Sequence, residues 1–388
     1  MTLDAAALDG RLVIRVSPQG VRVRSSRPLR AARVLVGRTP HEAAAWLPRL
    51  YAVCGNAQTV AGLHAMEAAT ATALDPAQDA ARDLLVRVES LREHLLRVFT
   101  SWAPELDLAV PAAAATQAMV APGQLARALF PDGDGLCPGG GRLRPDRAAL
   151  AVRVDGLTQL VTRQVLGCPP NHWLSLEDLD DALALASGGA LGPVWLAALL
   201  ARQWAGCGAL RLPALPVMDA AELSARLGGD AADTFVAAPT WQGRPCETGA
   251  YVRQYHHALV RDARSAYGDG LLARMVARLV EIAALVDSLA GRSPAPAQPE
   301  ALRPTDGDGT GQLETARGRL AHWVKLRAGR ILDYRILAPT EWNFHPEGLL
   351  ARALATLPLD RDTEALAGLL VGAVDPCVGF DLEVGGHA

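Results

Sequence analysis

Cys54 and Cys377 are the residues of this chain whose surroundings suit metal chemistry. Cys54, in RLYAVCGNAQTVAGLHAMEAAT (49–70), comes just before a helical pattern, with Gly55-Asn56 as the expected N-cap. A thiol at a helix N-terminus meets the positive end of the dipole, which favours thiolate, the form that ligates soft metals. Cys377, in GAVDPCVGFDLEV (372–384), follows Asp375 and Pro376. The carboxylate is a hydrogen-bond acceptor there, and the proline stiffens the approach. Taken singly, either thiol also reads as a small packed hydrophobe. No second cysteine stands in the eleven residues after Cys377, so spacing does not choose between the two readings.

The other cysteines are Cys137, Cys168, Cys207 and Cys246, and no two of the six form a C-x-x-C pair. That argues against disulfides in a reducing compartment and against a closed four-thiolate zinc site. Cys246 reads as core. Cys168 has His172 four residues on, which reads as a packed thiol and a surface histidine rather than a second metal site.

These candidates need a frame to bring them together. Half of the 388 residues are hydrophobic and only 5% are aromatic. A core of Ala, Leu and Val favours helices. The net charge is −3, and the basic residues read as scattered, so nothing suggests a nucleic-acid surface. MTLDAAALDGRL does not read as a secretory signal, and the apolar run at 182–204 is broken by Gly-Gly and Pro193. It reads as a buried helix or helix pair, and the expectation is a cytoplasmic protein with no membrane partner.

RLVIRVSPQGVRVRSS (11–26) predicts a hairpin around Pro-Gln-Gly. A helical block follows from about 40 to 130. The glycine-rich loop at 131–145 lacks the Lys-Ser/Thr of a phosphate-binding loop. Helices are expected over 175–228 and 270–291, then a flexible connection at 291–311. HWVKLRAGRILDYRILAPT (322–340) predicts a second hairpin around Ala-Gly, and a last helix covers 361–373. No internal repeat is evident. The expected fold class is α+β, predominantly helical, in one domain over 1–388.

Several segments resemble the large subunit of nickel–iron hydrogenases. RLYAVCGNAQ matches R-x-C-G-x-C-x-x-x-H at Arg49 and Cys54, with Tyr51, Ala52 and Gln58 in place of cysteine, glycine and histidine. DPCVGFDLE matches D-P-C-x-x-C-x-x-H at Asp375, Pro376 and Cys377, with Phe380 and Glu383 in place of cysteine and histidine. PTWQGRPCETGAYVR (239–253) is similar to P-R-Y-x-G-x-P-x-E-x-G-P-L-A-R. The run from Ala316 to Asn343 is similar to P-R-G-x-L-x-H-W…Y…P-T-x-W-N. GRTPHEAAAWLPRL (37–50) looks like G-R-D-P-R-x-A, and LDGRLVIRV (8–16) faintly resembles R-I-E-G-H-L-R-V-E-V. The motifs fall in order across nearly the whole chain.

The resemblance implies a large-subunit-like helical core with small peripheral hairpins. It also implies a pocket in which Arg317 lies over the metal, Asp375 beside it, and Asp9 at the place of a proton-transferring glutamate. A nickel–iron centre needs four thiolates, and here two positions supply them. Tyr51 and Phe380 put rings where thiols would be, and Gln58 and Glu383 are expected to remove polar support. That argues against hydrogen turnover and against nickel.

Pared-down large subunits of this kind resemble the HupK/HoxV-like proteins. That likeness implies a non-catalytic hydrogenase assembly scaffold or chaperone. Cys54 and Cys377 would transiently hold an iron carrying cyanide and carbonyl ligands, Fe(CN)2(CO). The partners implied are HypC-like and HypD-like maturation proteins and the precursor of a hydrogenase large subunit, with no nucleic acid. Two other functions fit the same residues: a metal-free docking protein in maturation, and a mononuclear iron enzyme with Asp9 as base.

Overall fold

The computed structural model describes residues 10–105, 108–110, 112–294 and 307–385. Asp9 lies outside them. Contacts divide the chain into two compact units, one of residues 1–73, 207–249 and 298–388, the other of residues 74–206 and 250–297.

Among the described residues the first unit holds six strands, in two sheets. β1 (Arg11–Ser17) and β2 (Gly20–Ser25) form the hairpin expected around Pro-Gln-Gly. Leu12, Ile14 and Val16 are buried and alternate with outward residues including Arg11 and Arg15, the period of a half-covered strand. The second sheet runs in the order β3 (Asp308–Thr315), β4 (Gly318–Arg327), β5 (Arg330–Leu337), all antiparallel. Its β4–β5 turn is the expected Ala-Gly, with both Ala328 and Gly329 at positive φ, as a tight two-residue hairpin requires. The chain's last strand, β6 (Gly379–Val384), pairs in parallel with β1, giving the order β2-β1-β6.

β3 overlaps the connection expected at 291–311. Residues 308–311 of that stretch are strand, and 295–306 lie outside the described residues. DGTG reads as a linker because of its glycines, yet the glycines serve a close approach. A Cβ at Gly309 would sit 2.0 Å from the Ala65 carbonyl oxygen, and one at Gly311 would sit 2.3 Å from that of Ala61. Both oxygens belong to the helix Gly55–Thr70, which lies on this strand.

That helix follows Pro40–Leu50, which begins with Pro40 at N1 and a capping box of Thr39 and Glu42. A short turn, Ala52–Cys54, joins the two. Opposite the helix, β3 and β4 meet a core of Trp323, Trp342, Leu223, Leu227, Met218 and Cys246. The last helix, Thr363–Val374, ends where Asp375 turns left-handed at φ 63°.

The second unit is helical. Its longest helices are Pro76–Arg97, Ala112–Leu129 and Leu271–Leu289, the last buried nearly all round, as its apolar run predicts. Glu281 on it is buried and accepts from Arg253, with His94 facing it. Desolvation opposes its charge, and the Arg253 guanidinium outweighs that and holds the carboxyl well below the usual range. The apolar run at 182–204 contributes two helical segments, Leu179–Gly188 and Leu191–Ala201, bent by 114°. Among the described residues no single helix is long and apolar enough to cross a membrane.

Candidate functional site

Cys54 is placed by local chain chemistry. It is the N-cap residue of the 16-residue helix Gly55–Thr70, so its sulfur sits at the end with unsatisfied amides. The helix starts two residues earlier than an Asn56 cap would give. Gly55 fits there because Pro48 of the preceding helix is close, its Cβ 3.2 Å from where a side chain would begin. Cys377 sits between the last helix and β6, two residues past the Asp375 turn.

The fold brings both cysteines to one cavity. It has a volume of about 300 Å³, at the small end of the range of small-ligand sites. Arg27, Tyr51, Gln58 and Glu341 line it together with Cys54 and Cys377. Each sulfur has a polar neighbour. The Thr340 hydroxyl lies 3.0 Å from Cys377 Sγ, and Gln58 Nε2 points at Cys54 Sγ at 3.6 Å.

Gln58 belongs to a longer chain of donors. His322 Nε2 donates to Gln58 Oε1 at 2.9 Å, and the Tyr334 hydroxyl lies 2.8 Å from His322 Nδ1. Because Gln58 Oε1 only accepts, Nε2 carries the imidazole proton and Nδ1 accepts from Tyr334. All donors then run toward Cys54, an arrangement that suits negative charge on sulfur. The expectation that Gln58 removes polar support is therefore corrected, because its amide supplies that support. Glu383 is elsewhere, on exposed β6, paired with Arg15.

Burial pushes His322 down to about 3, so it stays neutral. The folded pKa lies below the unfolded value near 6.5, so the unfolded chain takes up a proton that the folded chain refuses. Stability falls as pH drops from 6.5 toward 3. This residue alone should lower stability at pH 5 relative to pH 7 by about 2 kcal/mol. Urea melts at the two pH values should show that difference shrink in His322→Gln. An equal difference in both proteins would remove His322 as the cause.

The substituted rings have separate fates. Tyr51 lines the cavity, and burial raises its phenol far enough to keep it protonated. Phe380 is in β6 opposite Leu12, away from the lining.

Arg317 and Asp375 are brought together, Nη2 to Oδ1 at 3.4 Å, with side chains 9% and 1% exposed. Their frame is made from the motifs that carry the resemblance. Asn343 accepts from the Thr248 amide and donates to the Arg317 carbonyl, and the Thr248 hydroxyl accepts from the Arg319 amide. At Gly249, with φ 122°, a side chain would begin 3.1 Å from the Arg317 carbonyl oxygen. Among the described residues, the cavity lining includes neither Arg317 nor Asp375.

The sequence reading missed Arg27, Thr340 and Glu341. Arg27 lies in a stretch with eight arginines and no acid between positions 11 and 41, and that imbalance was the available signal. The Arg27 side chain is 13% exposed and pairs with Glu341, which also accepts from the Ala338 amide. Burial opposes its charge, and Cys377, Glu341, Tyr51 and Cys54 around it more than restore it.

Cys168 and Cys246 are buried, and burial pushes both thiols up, as it does Cys207. None of the three lines the cavity. Among the described residues no cluster of three or more His, Cys, Asp or Glu is arranged to hold a metal ion, so an occupant held by Cys54 and Cys377 must bring its remaining ligands with it.

Residues 219–379 match the model of the nickel-dependent hydrogenase family. The Ni-Fe-Se hydrogenase of Desulfovibrio vulgaris Hildenborough superposes with a TM-score of 0.61 over 92% of this chain and 93% of its own, at 18% identity. That of Desulfomicrobium baculatum gives 0.60 over 94% and 95%, at 17% identity. The fold is that of the hydrogenase large subunit, α+β and mostly helical, as the motifs imply. The uptake hydrogenase large subunit of Rhizobium leguminosarum is 33% identical over a stretch covering 21% of this chain and 15% of its own. Full-length similarity lies elsewhere. The hydrogenase expression/formation protein HoxV of Cupriavidus necator is 34% identical over 98% of this chain and 96% of its own length. HupV of Azotobacter chroococcum is 32% identical over 97% and 98%. The chain thus belongs to the family of hydrogenase expression/formation proteins that includes HoxV, HupV and HupK.

Proposed function

We propose that this protein is a non-catalytic scaffold in hydrogenase maturation. It transiently holds an iron fragment with two cyanides and one carbonyl and passes it to a large-subunit precursor. The observation that carries this reading is the pair Cys54 and Cys377, distant in sequence and lining one small cavity.

The chemistry is consistent with cargo rather than a resident cofactor. Two thiolates would bring to five the coordination of an iron that already has three strong ligands, and they leave no four-thiolate cage to trap it. They also do not provide the terminal and bridging thiolates that nickel would need. Gln58 and Thr340 face the sulfurs and can accommodate their charge when the iron leaves. HypC-like and HypD-like proteins are the proposed donors.

Anaerobic purification from a host that expresses the maturation genes tests this. Wild-type protein should retain iron, and Cys54→Ser and Cys377→Ser should each lose it. Cys246→Ser, in the Trp323–Trp342 core, should keep it. Equal iron in all four proteins would refute a two-thiolate site.

A further inference from the structure

We infer that Arg27, rather than Arg317, is the guanidinium that receives the negative end of the cavity's occupant. The inference rests on the scaffold reading and specifies which cation of this chain serves that site.

Three cations sit near the cysteines in sequence or space, Arg27, Arg49 and Arg317, and their surroundings differ. Arg317 bonds the buried Asp375 carboxylate, its backbone is clamped by Asn343, and it is not among the lining residues. Arg27 and Arg49 are both part of the lining, but Arg49 is exposed, whereas the Arg27 side chain is 13% exposed. Its Nη1 is held by Glu341 Oε1, and among the described residues no other acceptor bonds its guanidinium. Nε and Nη2 remain for whatever fills the space between it and the sulfurs.

Glu341 fixes the guanidinium rather than competing for it. Its second oxygen accepts from the Ala338 amide, so the carboxylate is held at both ends. A guanidinium pinned at one nitrogen presents its remaining donors in a defined plane. Charge points the same way. Two thiolates and two cyanides on a ferrous ion leave the assembly at −2. An occupant with that charge needs a fixed cation where its terminal nitrogens emerge, because burying an unpaired charge is costly. The Tyr51 hydroxyl, kept protonated in the same lining, supplies one further donor.

The test is infrared spectroscopy of anaerobically loaded protein in wild type, Arg27→Gln, Arg27→Lys and Arg317→Lys. Loss of a charge-assisted hydrogen bond should lower occupancy in Arg27→Gln about tenfold or more and move the cyanide bands. Arg27→Lys keeps the Glu341 pair and should load better than Arg27→Gln, with cyanide bands still displaced. It also serves as the folded control if the glutamine variant melts early. Arg317→Lys should leave the cyanide bands in place. Cyanide bands that stay fixed in both Arg27 variants and move in Arg317→Lys would overturn this inference and leave the scaffold reading standing. Absence of bands in wild type would overturn both.

Discussion

Asp375→Asn should destabilise the protein by about 3 kcal/mol, and Asp375→Ala by about 1 kcal/mol more. The Asp375 carboxylate is buried against Arg317, itself nearly buried. Removing one partner of a buried pair leaves the other charge poorly compensated, which costs far more than the pair contributes over an apolar replacement. The increment for alanine has a different origin. Asp375 is left-handed at φ 63°, a conformation that asparagine tolerates and alanine resists. The Arg317→Leu, Asp375→Asn double variant should therefore recover part of the loss, since no charge is then stranded. Urea melts of the four proteins measure all of this. Single variants within about 0.5 kcal/mol of wild type would show that the pair has no such role.

Gly311→Ala and Gly309→Ala should each cost about 3 kcal/mol, the upper range for overpacking. Their added carbons would meet the backbone of the helix Gly55–Thr70 at 2.3 and 2.0 Å, and backbone of a packed helix does not swing aside as a side-chain tip does. The helix must translate off β3, and it carries Cys54 and Gln58 with it. Iron retention should fall along with the melting midpoint. Gly368→Ala is the control. It lies in the helix Thr363–Val374 with open space around it, so it should stabilise slightly by helix propensity. Unchanged midpoints for Gly309→Ala and Gly311→Ala would mean that the helix and strand do not approach as described.

Local chemistry was legible in the sequence. Pro-Gln-Gly and Ala-Gly announced hairpins, and the Cys54 helix and the last helix followed from their patterns. Motif order gave the fold and placed Arg317 with Asp375. What was not legible depends on three-dimensional proximity. β3 reads as a linker because glycine signals both flexibility and close packing, and only the helix against it distinguishes them. The Gln58–His322 bond spans 264 positions and no local rule connects them. Replacing histidine by glutamine looked like a loss at 58 because the donor behind it was not visible. Arg27 belongs to no motif. It enters the cavity because its guanidinium pairs with Glu341, a contact across 314 positions, whereas its sequence neighbours Arg22, Arg24 and Arg30 remain exposed. Phe380 was read with Tyr51 as a ring replacing a thiol, but strand pairing with β1 takes it elsewhere.

The central claim is that Cys54 and Cys377 together hold an iron that carries cyanide and carbonyl. Infrared spectroscopy of protein purified without oxygen, from a host with active maturation genes, tests it most directly, since metal-bound cyanide and carbonyl stretches fall where protein does not absorb. The account predicts both kinds of band in wild type and neither in Cys54→Ser or Cys377→Ser. No bands in wild type, with the HypC-like and HypD-like partners shown to be loaded, would contradict it and leave a docking protein with the hydrogenase fold and no metal.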